Sequence, residues 1–187
     1  MKCVDTGAEI AAAQTQPLAG PGGASAQLKV STADDHSKNS HECNAEYQLL
    51  ITPAGGGPPV VVDLNASDAE YDRIISLRLD GFSQDGKRIF GILSEAGRFP
   101  STTLFDYGTT NSKARLIDLT KLFLGTAWCS TTFDVIGTTE SGAIALELNS
   151  INKCVPKRRV LLDPISLQPL PRGPSILPLY KLKDDAP

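Results

Sequence analysis

The chain has 187 residues, with 18 Lys and Arg against 21 Asp and Glu and a formal charge of −3. That balance speaks against a general nucleic-acid binder, which carries a basic face, and no run of about 18 apolar residues is present to cross a membrane as a helix. The length suits one domain with a sizeable core, and 41% hydrophobic residues with 16 Gly and 13 Pro point to a turn-rich β protein.

Residues 1–26 are small and polar, with Gly20-Pro21-Gly22-Gly23 near their end, and read as a flexible leader. A single β domain is expected over 27–180, with 181–187 as a tail. Ala26 to Ser31 alternates as a first strand, and Thr32 to Asn44 reads as a polar loop. Tyr47 to Thr52 and Val60 to Leu64 are strands separated by Pro53-Ala54-Gly55-Gly56-Gly57-Pro58-Pro59, a cluster of breakers. Ser67 and Glu70 fit a capping box for one helical turn before a strand from Ile74.

Leu79 to Ser94 is the stretch around which the chain is organised. Ile75, Leu77 and Leu79 alternate with Ser76, Arg78 and Asp80, and Asp85-Gly86 then reverses the chain into Arg88-Ile89-Phe90. Alternation at period two marks a half-buried strand, and Asp-Gly supplies the positive φ of a short hairpin. Thr102 to Asp106 and Ala114 to Asp118 follow as strands. Leu119 to Cys129 is ambiguous, because Leu119, Leu122, Phe123 and Ala127 would share a helical face. Phe133 to Thr138 and Ala143 to Asn149 form a hairpin around Glu140-Ser141-Gly142. Arg159 to Leu162 is a strand closed by Asp163-Pro164. The alternation predicts a core of Leu49, Ile51, Val61, Ile75, Leu77, Leu79, Ile89, Ile92, Leu104, Leu116, Val135, Ile144, Leu146, Leu148, Val160 and Leu161.

Three segments look alike: Tyr47 to Ser67, Arg88 to Thr110 and Ala143 to Ser166. Each is an apolar strand, a loop and a strand that ends at an aspartate, respectively Asp63, Asp106 and Asp163. Repetition of this kind predicts stacked or radially arranged four-stranded units. Gly81-Phe82-Ser83 and Asp85-Gly86-Lys87-Arg88-Ile89, followed by Thr102 to Thr110, are similar to blades of TolB-like and WD-repeat β-propellers, and Phe133 to Leu148 echoes the pattern. The resemblance covers about half the chain and implies blade-like antiparallel hairpins. Propellers close with about four to eight blades, whereas this chain holds at most three. A partial propeller-like sheet is therefore the expected fold, with a β-sandwich as the alternative.

Chemical motifs are sparse. His36 and His41, with Asp34, Asp35, Glu42 and Cys43 beside them, are the only candidates for a metal site, but no third histidine exists and the spacing of five does not suit one helix face. A solvated loop is the plainer reading. Ser150 and Lys153 match S-x-x-K without the partner motifs that make it catalytic. No G-x-S-x-G elbow or phosphate-binding glycine loop is present. Lys153, Lys157, Arg158 and Arg159 could meet an anion or simply solvate a strand edge. Pro169 to Pro174 could adopt polyproline II; the plainer reading is a tail lying across the domain, anchored by Ile176, Leu177, Leu179 and Tyr180. Asn65-Ala66-Ser67 is a glycosylation sequon in a eukaryotic host.

Cys3, Cys43, Cys129 and Cys154 form no CxxC pair, and an even count reads as two disulfides in an oxidising compartment. Cys129 with Cys154 is the preferred pairing, leaving Cys3 with Cys43; the first would close a loop of about 25 residues and stabilise by roughly 3 kcal/mol. Buried free thiols are the alternative. These features together lead to the expectation of a non-catalytic, exported binding or interaction protein, bacterial in origin, with no cofactor. Its partner would be another protein or itself, not nucleic acid. The alternatives are a metal-dependent or hydrolytic enzyme using Asp34, His36, His41 and Glu42, and a structural assembly subunit.

Overall fold

The computed structural model describes residues 17–35, 42–63, 76–95, 101–124, 131–150, 155–170 and 175–180. The fold is all-β, in three antiparallel sheets. The first holds β1 (Leu18–Ala19), β2 (Ser25–Asp35), β3 (Glu42–Thr52) and β4 (Val60–Asp63) in that order. The second holds β5 (Ser76–Phe82), β6 (Arg88–Glu95), β7 (Ser101–Gly108) and β8 (Lys113–Asp118). The third holds β9 (Thr131–Thr139), β10 (Ile144–Ser150), β11 (Arg158–Leu162) and β12 (Pro169–Leu170), with β13 (Ile176–Pro178) added on the free side of β9. Each sheet is a meander of four consecutive strands. The first strands β1, β5 and β9 lie side by side.

Two hydrophobic clusters join the sheets, and the middle sheet belongs to both. Ile89, Leu93, Phe105 and Tyr107 pack with Leu79 and Phe82 against Ala26, Leu28, Leu49 and Ile51 of the first sheet. On the opposite face, Phe90, Ile92, Leu104 and Ile117 pack against Phe133, Val135, Ile144, Leu146, Leu148 and Leu162 of the third. Phe82, Phe90, Phe105 and Phe133 are fully buried, and each contributes roughly 1.5–3 kcal/mol by leaving water. A sheet covered on both faces needs apolar residues at successive positions. Ile89 to Leu93 supplies that run, which a single alternating set understates.

Of the expected core, Leu49, Ile51, Leu79, Ile89, Ile92, Leu104, Val135, Ile144, Leu146, Leu148 and Leu161 are buried. Leu116 and Val160 are half-buried. Val61 is the exception at 55% exposure: it stands opposite Leu50, on the face turned away from the core, whereas Val62 of the same strand stands opposite buried Leu49 and packs on the core. The Ile75 prediction and the Leu77 side chain lie outside the described residues, as does the capping box at Ser67.

Other expectations are corrected. Residues 17–26, assigned to the leader, carry β1, a 3-10 turn at Pro21–Gly23 and the start of β2. Of the polar loop expected over Thr32 to Asn44, the described residues 32–35 and 42–44 are strand. β2 and β3 stay paired as far as Asp35 opposite Glu42, since backbone pairing continues past the residues whose side chains announce it. The ambiguous stretch after Asp118 starts as one short helix, α1 (Leu119–Phe123), where Asp118 accepts the Lys121 amide at 2.8 Å as its N-cap.

The alignment of the repeats shifts by one strand. β3 and β4 are third and fourth in their sheet, whereas β6–β7 and β10–β11 are second and third. A two-residue β1 hidden among glycines and alanines caused the miscount. Asp106 lies inside β7 rather than at its end. The echo between the second and third sheets holds in detail. Register breaks on β5 between Leu79 and Gly81 and opposite Gly137 and Val135 on β9 leave one residue on each strand, Asp80 and Ile136, without an opposite partner. Gly86 then donates to the Ser83 carbonyl and Gly142 to the Thr139 carbonyl, each at 2.9 Å. Gly86 and Gly142 both take positive φ, at 69° and 84°, as such turns require.

Candidate functional site

The polar chemistry of the described interior collects on the face of the middle sheet that meets the third. Asp106, 1% exposed, sits on β7 directly between Phe90 of β6 and Arg115 of β8. Arg88 donates Nε to its Oδ1 at 2.9 Å and Nη2 to its Oδ2 at 2.8 Å. Arg115 donates its own Nη2 to the same Oδ2. The two guanidinium groups then reach the third sheet. Arg88 Nη1 donates to the Gly142 carbonyl at 2.7 Å, and Arg115 Nη1 to the Pro164 carbonyl at 2.8 Å. The Arg88 guanidinium also lies 4.7 Å over the Phe90 ring. A buried carboxylate survives only with such partners.

A second network lies farther along the same junction. The bulge on β5 turns Asp80 towards β9, where its Oδ2 accepts the Val135 amide at 2.9 Å. Arg78 holds Asp80 Oδ1 through Nε at 2.6 Å and reaches Asp134 Oδ1 and the Phe133 carbonyl through Nη2. Burial pushes the Asp80 carboxyl above its ordinary value, and the bonds from Arg78 and Val135 only partly offset it. Arg78 is half exposed, so this cluster opens to solvent at one side.

The arrangement does two things chemically. It fixes two sheets against each other with charge-assisted bonds, and it uses the cations it contains on carboxylates and carbonyls. Asp163 behaves differently from Asp106, although both served as repeat markers. Its Oδ1 accepts the Ile165 and Ser166 amides, which draws the carboxyl below its usual range and closes the β11–β12 turn. The side chain of Asp63 lies outside the described residues.

His36 and His41 lie outside the described residues. The backbone does place their neighbours: Asp35 pairs with Glu42 and Asp34 with Cys43 at the end of the β2–β3 hairpin. Among the described residues no cluster of metal-binding side chains occurs. Ser150 ends β10 opposite Thr131, and Lys153 lies outside the described residues. Two of the basic residues meet one acid, with Lys157 Nζ 2.8 Å and Arg159 Nε 3.3 Å from Glu147, while Arg158 is exposed. The Lys157 bond first, then that from Arg159, holds Glu147 below its ordinary value. Pro53 to Pro59 joins β3 to β4 as an exposed turn.

Cys3, Cys129 and Cys154 lie outside the described residues, as does the Cys43 side chain; Thr131 and Ser150, the described residues next after Cys129 and last before Cys154, pair with each other in the third sheet. The Asp106 and Asp80 networks were missed from the sequence. The signal was present as a lone carboxylate within the apolar run Leu104-Phe105-Asp106-Tyr107, where burial demands a cation. No helix among the described residues is long and apolar enough to cross a membrane. No family model matches this chain, and no curated protein or solved structure matches it either.

Proposed function

We propose that this chain is a non-catalytic interaction module, exported to an oxidising compartment, that recognises another protein or a copy of itself. The observation that carries the reading is the use of its buried charge. The Arg88–Asp106–Arg115 and Arg78–Asp80–Asp134 networks join sheets, leaving the ionic groups of the described interior bonded to one another. A stiff stack of sheets with exposed Val60 and Val61 on an outer strand suits recognition through a strand edge. The side-by-side first strands also support the likeness to propeller blades. Metal analysis of protein purified without added metal tests the non-catalytic reading: a stoichiometric transition metal overturns it.

One observation favours a second reading, a metal-dependent or hydrolytic enzyme. The β2–β3 register brings Asp34, Asp35, Glu42 and Cys43 to the hairpin end next to His36 and His41 in sequence. The same metal analysis decides between the two, with His36→Ala and His41→Ala variants expected to lose any metal held there.

A further inference from the structure

The C-terminal segment does not merely lie on the surface. β13 pairs with β9, with Ile176 opposite Thr139, Leu177 opposite Thr138 and Pro178 opposite Gly137. Beyond it the chain crosses to the middle sheet, where the Tyr180 amide donates to the Phe82 carbonyl at 2.9 Å. The Gln84 side-chain amide donates to the Pro178 and Leu179 carbonyls at 2.9 and 3.3 Å. These contacts come from residues far away in sequence.

The seat for this segment is built from glycines. A Cβ at Gly81 would stand 3.0 Å from Leu179 Cδ1, and one at Gly137 would run into the Leu177 carbonyl oxygen. Gly20, just after β1, makes a similar close approach to the second sheet: a Cβ there would stand 2.9 Å from the Phe82 ring. Phe82 fills the seat at Gly20. Its counterpart in the third sheet is Thr138, which stands opposite Leu177 of the tail. The seat at Gly81 holds Leu179, which is 8% exposed. The tail thus adds a fifth strand to the third sheet and one leucine to the hydrophobic cluster between the second and third sheets.

We propose that residues 175–180 are a donor strand, and that the slot formed by Gly81, Phe82, Gln84 and the edge of β9 accepts the same segment from a second copy of this chain. Backbone pairing to β9 gives the slot its directionality, the Gly81 seat selects a leucine three residues after the first strand residue, and Gln84 fixes the register through two carbonyls. Exchange replaces each internal bond with an identical one between copies, so it needs only release of the tail. This inference deepens the self-recognition arm of the proposed interaction role and rests on it. Its failure is distinguishable, because metal content would overturn the non-catalytic reading without changing tail exchange.

The test uses the full chain and a fluorescein-labelled synthetic peptide of residues 175–185. Leu179→Ala in the full chain weakens its own tail. Fluorescence polarisation is expected to show this variant capturing the peptide at least tenfold more tightly than the parent. A peptide carrying the same Leu179→Ala change should not be captured, and Gln84→Ala in the chain should weaken capture several-fold. A folded Leu179→Ala chain that captures no peptide at saturating concentration overturns the proposal. If that variant does not fold, the parent decides the matter. Mixed labelled and unlabelled copies should form heterodimers in native mass spectrometry as concentration rises, and excess peptide should suppress them. A strict monomer, or a dimer indifferent to the peptide, overturns the proposal.

Discussion

Replacing Asp106 by Asn keeps the shape of the side chain and removes its charge. In the parent, three guanidinium N–H groups converge on its two oxygens, and the residue is 1% exposed. Asparagine offers one acceptor oxygen and turns an NH2 group towards donors. Arg88, whose side chain is 18% exposed, would then be a cation without its counter-charge at the sheet junction. Removing one partner of a buried pair costs about 3–5 kcal/mol. For a domain of this size each kcal/mol lowers the Tm by about 2–4 °C, so the expected loss is roughly 6–20 °C. Urea unfolding followed by circular dichroism reads the free energy directly. Arg115→Ala supplies the comparison. Its side chain is 45% exposed, and solvent screening limits its cost to about 1 kcal/mol. Asp106→Asn within 1 kcal/mol of the parent would refute the assignment of the triad as a sheet-joining element.

Gly137→Val should displace β13 by collision with the Leu177 carbonyl, seen as faster loss of the C-terminal fragment in limited proteolysis with a stability cost of about 1–3 kcal/mol. Val61→Lys, on the exposed face of an outer strand, should leave stability within about 0.5 kcal/mol and slow self-association measured by light scattering. Asp80 sets a pH dependence. Because burial raises its folded pKa above the ordinary 3.8, its charged form is the one folding disfavours. The parent should therefore lose stability relative to Asp80→Asn as pH rises from that value through the raised one, and unfolding midpoints of both proteins between about pH 3 and 7 check the slope. Asp85 has the opposite sign. Burial pushes its carboxyl up, but bonds from Ser83 and Lys87 bring it below the usual value, so its contribution is present above 3.8 and fades below it.

Much of the architecture was legible because strand alternation and turn chemistry are local. Asp85-Gly86 and Glu140-Ser141-Gly142 mark two hairpins correctly, and the echo between them survives as matching register breaks and turns. What stayed hidden depends on distant partners. Arg88, Asp106 and Arg115 are separated along the chain and meet only when β6, β7 and β8 pair. β1 is two residues long and carries no pattern. Val61 sits in a run of three valines with no alternation of its own, and the register with β3, which turns Val62 rather than Val61 to the core, is not written in the strand itself. The tail anchors Leu179 and Tyr180 were readable as apolar residues after prolines; the Gly81 and Gly137 seats that receive the segment were not.

Intact mass with and without reductant, after blocking free thiols, tests the exported interaction role most directly. The account predicts two disulfides, visible as four additional blocked thiols only after reduction, with peptide mapping joining Cys129 to Cys154 and Cys3 to Cys43. Four thiols blocked without reductant would contradict export to an oxidising compartment, and would leave Cys43 reduced at the hairpin end that carries Asp34 and Glu42.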